Sequence, residues 1–292
     1  MESPGKQGNL PVVGAVAVTI VCWGSNFPTI RYVLQAYDPL AMSALRVYIG
    51  ALVLAGVAGA LRMPLPAWRD WPLLALFGAT GIAAATLTLN FGLHRISAGA
   101  GVLIIGTVPV MSALLARGFL AERLGGRAWA GIAVSFAGVG LIALGEGEGF
   151  RVNTGALFVL ASAANQAFFY VFQKWLHGRY TPFQITCGSI WSAAVLLLPL
   201  APHALASAVA APWGQSLGVL YLGLFPTAIA FAAWNFALSR ARAALVTSSM
   251  YAMPLLAISL AYLWLGEVPT LLTLTGGLAA LGGVALLHMG RR

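Results

Sequence analysis

NFGLHR at residues 90–95 returns as NFALSR at residues 235–240, and the two stretches open a longer correspondence. At a shift of 145 residues Asn90 recurs as Asn235, Phe91 as Phe236, Leu93 as Leu238 and Arg95 as Arg240. The register continues without a gap through Pro109/Pro254, Glu122/Glu267, Gly131/Gly276 and Gly138/Gly283. Asn, Arg, Pro, Glu and two Gly held in step over that distance mark an internal duplication.

Composition says what was duplicated. Hydrophobic residues make up 60% of the chain and charged residues 8%, with mean hydropathy +0.88. A soluble domain carries roughly 25% charged residues, so this chain cannot cover a water-facing surface and reads as an integral membrane protein. The net charge of +9 does not point to nucleic acid, because Lys and Arg occur in ones and twos between apolar runs. That is the pattern of loop charges that orient membrane helices. Cys22 and Cys187 lie inside apolar runs, with no metal-ligand spacing and no disulfide framework. The first apolar run contains Trp23, Asn26 and Pro28 and lacks a small-residue cleavage site, so it reads as a retained helix.

Apolar runs of about 20 residues, the length that spans ~30 Å of hydrocarbon as helix, recur ten times. They are 11–31, 39–61, 72–91, 98–118, 128–145, 153–174, 182–200, 214–236, 243–265 and 270–289. The expected architecture is an all-α membrane protein of ten transmembrane helices in two five-helix repeats, 11–145 and 153–289. A cytoplasmic tail, 1–10, precedes them and an external linker, 146–152, joins them; the segment 201–213 is expected to lie along the membrane surface. With the N-terminus inside, twelve Lys and Arg fall in cytoplasmic segments, against Arg31, Arg95 and Arg151 opposite. This predicts cytoplasmic termini in the inner (plasma) membrane. Five is odd, so the second repeat enters the membrane inverted. Helices 1 and 6 match at a shift of 143, through Arg31/Lys174 and Pro39/Pro182. Inverted repeats are the architecture of many secondary transporters, whose two halves exchange roles between inward-open and outward-open states.

The stretch CWGSNFPTIRYVLQAYDPLAMSALRVYIGALVLA, residues 22–55, resembles the opening of EamA-type members of the drug/metabolite transporter superfamily. The matching positions are Trp23, Gly24, Asn26, Pro39 and Arg46. FLAERLGGRAWAGIAVSFAGVGLIAL and WLGEVPTLLTLTGGLAALGGVALL are similar to that family's Leu, Glu, Gly-rich helix pattern. The resemblance implies a ten-helix fold with a central cavity between the halves, and export of amino acids or other small metabolites. A nucleotide-sugar or drug carrier of the same superfamily is the alternative. An intramembrane lipid-modifying enzyme is the alternative of another class, and it lacks convergent acids or His at one membrane face.

Residues for a substrate site are polar groups at helix depth, which must find partners or line a wet cavity. Arg46 is either a clamp for a substrate carboxylate or a structural Arg reaching Asp38 or helix-end carbonyls. Trp23 and Asn26, Gln166 and Tyr170, and Thr86 and Asn90 each share a helix face by spacing. Asn165 joins the candidates, with Asn235 as the repeat mate of Asn90 and Trp234 and Tyr251 as aromatic walls. Interhelical hydrogen bonding is the alternative role for the two Asn. Gly81, Pro109, Pro226 and Pro254 are hinge candidates or static kinks. Glu122 and Glu267 read as a gate ion pair or as tethers to the start of the following helix. The stripes Gly131/Ser135/Gly138 and Gly276/Ala280/Gly283 read as scaffold packing or a dimer face.

No acid lies at mid-helix, and His94, His177, His203 and His288 sit near helix ends, so no proton relay is apparent and transport reads as facilitated or exchange-type. There is no phosphate-binding loop and no catalytic motif. The expected partners are a small-molecule substrate and membrane lipid, without cofactor, metal or nucleic acid, in a monomer or homodimer.

Overall fold

The computed structural model describes residues 10–121, 124–147, 151–176, 178–241, 246 and 249–289. Its elements are α1 (Leu10–Val33), α2 (Pro39–Ala60), α3 (Trp68–Leu93), α4 (Ala98–Phe119), α5 (Gly126–Gly145) and α6 (Thr154–Leu176). These are followed by α7 (Pro182–Leu196), α8 (Leu198–Ala210), α9 (Trp213–Ala237, continuing helically to Arg240), α10 (Ser249–Leu265) and α11 (Leu271–Met289). Among the described residues, eight of these are long and apolar enough to cross a membrane. α7 and α8 meet at 49° and qualify only together, while α10 is a shorter apolar helix. The run expected over 182–200 therefore stops early as straight helix. Pro199 and Pro202 withdraw two backbone donors at that point, and the segment expected to skirt the membrane is itself helical from Ala201 to Ala210.

Local chemistry starts the helices in matching ways in the two halves. The Asp38 carboxylate accepts from Leu40 N at 2.9 Å and Ala41 N at 3.0 Å, with Pro39 opening α2. Thr181, 143 residues on, caps α7 through a capping box with Gln184, with Pro182 in the same place. Burial alone would push the Asp38 carboxyl up; the Ala41 amide, the His203 ring and the Leu40 amide outweigh it and hold it below its ordinary value.

The duplication is visible in the contacts. α1 and α9 run antiparallel: Thr19 Oγ1 donates to Ala230 O at 3.4 Å and Trp23 Nε1 to Pro226 O at 3.0 Å. Further along, Ser25 and Tyr221 pair at 2.6 Å and Tyr37 and Ser216 at 2.8 Å. The equivalent pair is α6 and α3, where Ser162 Oγ donates to Ala85 O at 2.8 Å. Thr19/Ser162 and Ala230/Ala85 are repeat mates at shifts of 143 and 145, so the first helix of each half packs on the third helix of the other.

α5 and α11 form a second reciprocal contact. A methyl placed on Gly131 would lie 2.5 Å from Gly283 O, and one on Gly283 would lie 2.4 Å from Gly131 O. Gly138 meets Gly276 in the same mutual way, and Ser135 Oγ donates to Ala280 O at 2.8 Å. Ser135 and Ala280 are themselves mates at 145, so the local two-fold passes between them. Both small-residue stripes are consumed in this one contact within the chain, which resolves the scaffold-or-dimer alternative at these faces.

This packing predicts a position-specific cost. Gly138→Ala should destabilise the detergent-solubilised protein by about 1–3 kcal/mol through overpacking. Gly140→Ala, where a methyl meets nothing within 4 Å, should stay within about 0.5 kcal/mol. Thermal melts of the two variants compare them.

Candidate functional site

Arg46 lies two turns into α2 and is 8% exposed. Its Nη2 donates to Asn26 Oδ1 on α1 at 3.1 Å and to Thr227 Oγ1 on α9 at 3.3 Å. Asp38, the acid nearest in sequence, is engaged by the start of α2 and by His203 at 2.8 Å. The guanidinium offers five N–H donors, and both described hydrogen bonds leave from Nη2. Neither Nε nor Nη1 donates to a described protein group, and Arg46 lines a cavity of ≈130 Å³.

Four interruptions of regular helix shape that cavity. π-helical turns span Gly78–Ala84 in α3 and Gly223–Ile229 in α9, displaced by 145 residues at both ends. Gly81 and Pro226 stand inside them and line the cavity. α4 breaks at Gly106–Thr107 and resumes at Val108; α10 passes from a 3₁₀ turn, Ser249–Ala252, into α-helix at Met253, again 145 on. Pro109 and Pro254 are therefore not mid-helix, as their spacing predicts, but at the start of the resumed segments, where a missing N–H costs least. Single π turns inside α-helices recur at functional sites.

The lining comes largely in repeat pairs: Trp23/Gln166, Asn26/Phe169, Phe27/Tyr170, Val47/Ile190, Gly81/Pro226, Ile82/Thr227, Thr86/Phe231 and Ile105/Met250. The cavity thus sits between the halves, lined by matched positions from each. The pairs are chemically unlike. Asn26 and Thr227, which hold Arg46, have Phe169 and Ile82 as mates, and Arg46 itself has Ser189. The α3/α6 wall mixes the apolar Ile82 and Phe169 with the uncharged polar Thr86, Gln166 and Tyr170, so the two sides differ in charge. No acid or histidine lines the cavity among the described residues.

Of the candidates read from sequence, Trp23, Asn26, Arg46, Thr86, Gln166 and Tyr170 share this cavity. Asn90 does not: it is fully buried and donates from Nδ2 to Ser43 Oγ on α2 at 2.7 Å, leaving Oδ1 without a partner. Asn235 donates to Phe231 O on its own helix at 2.8 Å. Trp234 does not line the cavity but packs at a tilt against Trp23, with ring centroids 5.4 Å apart. Asn165 does not line the cavity, and Tyr251 is exposed. Sequence reasoning misses Thr227, Phe169, Phe231, Met250 and Met253. Thr227 was findable, as the only hydroxyl beside Pro226 at mid-helix.

A polar knot closes one end of the bundle. Arg31 at the end of α1 donates from Nε to Glu267 Oε1 at 2.8 Å and from Nη1 to Leu93 O at 2.9 Å. Glu267 Oε2 accepts from Ala98 N at 2.8 Å. The tether thus exists, but to the start of α4 in the other half and not to the following helix, which Thr270 caps instead. The acid meets an orphan amide at a positive helix end. Glu146 completes the knot, binding Ser97 N at 2.7 Å and Thr273 Oγ1 at 3.1 Å. Glu122 lies outside the described residues.

Related helical halves around a partly polar cavity, in a chain of many apolar helices, define a multi-pass membrane transporter rather than an enzyme. The model of the EamA-like transporter family matches residues 10–144 and again 153–289, and the chain belongs to that family. It is 40% identical over 283 residues to a Streptantibioticus cattleyicolor protein named "Probable terminal-alkyne amino-acid exporter", covering 96% of this chain and 95% of that one. It is 34% identical to the uncharacterised transporter YdfC of Bacillus subtilis over 97% of this chain and 93% of that one. A solved crystal structure superposes with TM-score 0.63 over 96% of this chain and 97% of that one, at 22% identity, a likeness of fold alone.

The knot predicts coupling between its charges. Arg31→Gln and Glu267→Gln should each lower the melting temperature. The double variant should lose less than the sum of the two, by about 1 kcal/mol in a double-mutant cycle.

Proposed function

We propose that the protein is a secondary transporter that moves amino acids or related small metabolites out of the cell by alternating access. In this reading ten spans form two inverted five-helix halves in the inner membrane, with both termini cytoplasmic and the substrate site at the Arg46 cavity. The name of the Streptantibioticus cattleyicolor relative supports the substrate class. The order of contacts along α1 supports inversion. Leu93, two residues before Arg95, is held by Arg31 at one end of α1, while Ala237, three before Arg240, packs with Val12 at the other. The mates Arg95 and Arg240 thus belong to opposite ends of a 24-residue helix.

One observation carries the alternating mechanism: the symmetry is broken where a gate should be. Ser43 Oγ donates to Pro39 O at 2.6 Å and its mate Thr186 Oγ1 to Pro182 O at 2.9 Å, so both halves keep this bond. Asn90 bridges to Ser43, whereas its mate Asn235 bonds its own helix and no bond joins it to Thr186. The knot of Arg31, Glu146 and Glu267 seals the same end as Asn90. In the opposite state Asn90 releases Ser43 and Asn235 takes Thr186. With no acid or histidine on the cavity wall among the described residues, the substrate gradient or exchange drives the cycle.

Proteoliposomes loaded with unlabelled L-norvaline should take up labelled L-norvaline by exchange and should ignore labelled nucleotide-sugars. A cavity of ≈130 Å³ is below the range of drug-sized sites. In a background lacking Cys22 and Cys187, bridging S43C to N90C or T186C to N235C should each stop exchange. Uphill uptake driven by a proton gradient alone, or exchange that survives both bridges in one molecule, would sink the mechanism.

A further inference from the structure

Resting on the reading of the Arg46 cavity as the substrate site, we infer that the carrier recognises the carboxylate of its substrate and not the amine, and so takes compact apolar monocarboxylates as a class. The argument begins from what the cavity offers. Arg46, the cation of the cavity among the described residues, is more than nine-tenths buried and holds Asn26 and Thr227 with Nη2 alone. A guanidinium fork presents two parallel donors to a carboxylate, and here Nε and Nη1 are the edge without a described protein partner. A buried cation without an anion is costly in a membrane protein, and an incoming carboxylate supplies that anion.

An ammonium finds nothing comparable. No carboxylate lines the cavity among the described residues, and Arg46 repels a second positive charge. The repeat relation places the rest of the substrate. The mates of Asn26 and Thr227 are Phe169 and Ile82, which with Val47, Leu89 and Ile190 give the cavity apolar wall for a short hydrocarbon tail, beside the uncharged Thr86, Gln166 and Tyr170. The α-amino group of an amino acid is then carried along without being read.

Three probes separate the parts: L-norvaline, its des-amino counterpart pentanoate, and L-norvalinamide, which keeps the amine and tail but has no carboxylate. Each is titrated against the full-length protein in nanodiscs by thermal-shift binding and as a competitor of norvaline exchange. Norvaline and pentanoate should act at similar concentrations, and norvalinamide should need at least about tenfold more, the loss expected for one charge-assisted pair. Arg46→Gln should erase the preference for acid over amide. Arg46→Lys should keep part of it and controls for folding. Phe169→Asn should narrow the gap between pentanoate and acetate.

Norvaline binding with pentanoate inert would overturn this inference and leave the amino-acid reading standing, as would norvalinamide matching norvaline. If none of the three binds while a nucleotide-sugar does, the proposed function falls as well.

Discussion

A peptide group in hydrocarbon has no water to bond, so every interruption of a membrane helix must be repaired by protein or face a wet space. That constraint organises this molecule. The chain interrupts α3, α4, α9 and α10, at points matched by the 145-residue repeat. At each of them a residue of the interrupted segment (Gly81, Ile105, Pro226, Met250) lines the same cavity, the one that Arg46 also lines. The repairs are specific. Thr227 Oγ1 donates to Leu222 O, five residues back, at 2.8 Å, and the Trp23 ring N–H reaches Pro226 O, which ordinary helix would bond to an amide four residues on. A cavity wall made of irregular helix can change shape without breaking a regular ladder of backbone bonds.

The same repeat that weakens these four helices stiffens two others. α5 and α11 approach so closely that glycine carbonyls stand where side chains would otherwise be. The exchange of contacts is reciprocal, so neither half can shift its stripe without disturbing the other. The exchanged pairs α1/α9 and α3/α6 do the same work around the cavity. Scaffold bonds such as Thr19 to Ala230 and Ser162 to Ala85 survive in both halves. Close reciprocal contacts and interrupted helices thus occupy different parts of the bundle.

Much of this was legible from residues alone, because the signals were periodic or repeated. Apolar run length located the helices, and the NFGLHR/NFALSR register located the equivalent positions. Polar residues at mid-helix found Trp23, Asn26, Arg46, Thr86, Gln166 and Tyr170, since polarity at depth must be answered. The failures share a cause. Asn90 is just as polar, but Ser43 answers it inside the scaffold, and spacing cannot show which neighbour a side chain finds. Phe169 and Phe231 were invisible because an aromatic in an apolar run carries no mark of facing a cavity. Sequence distance points Glu267 at its own following helix, whereas the fold brings the start of α4 closer.

The two halves also show where symmetry stopped being useful. Residues that pack the repeat against itself stayed alike: Ser43 and Thr186, Pro39 and Pro182, Gly131 and Gly276. Residues that face the cavity diverged: Arg46 against Ser189, Asn26 against Phe169, Thr227 against Ile82, Trp23 against Gln166. A symmetric pair of arginines there would put two unpaired cations in one low-dielectric space, with repulsion and desolvation adding. A symmetric pair of serines would leave nothing to hold an anion; Ser189 Oγ is buried without a partner even now. One cation among apolar and uncharged polar lining residues gives the described cavity a single charged end. The packing between the halves can then stay two-fold while the cavity between them is one-sided in charge.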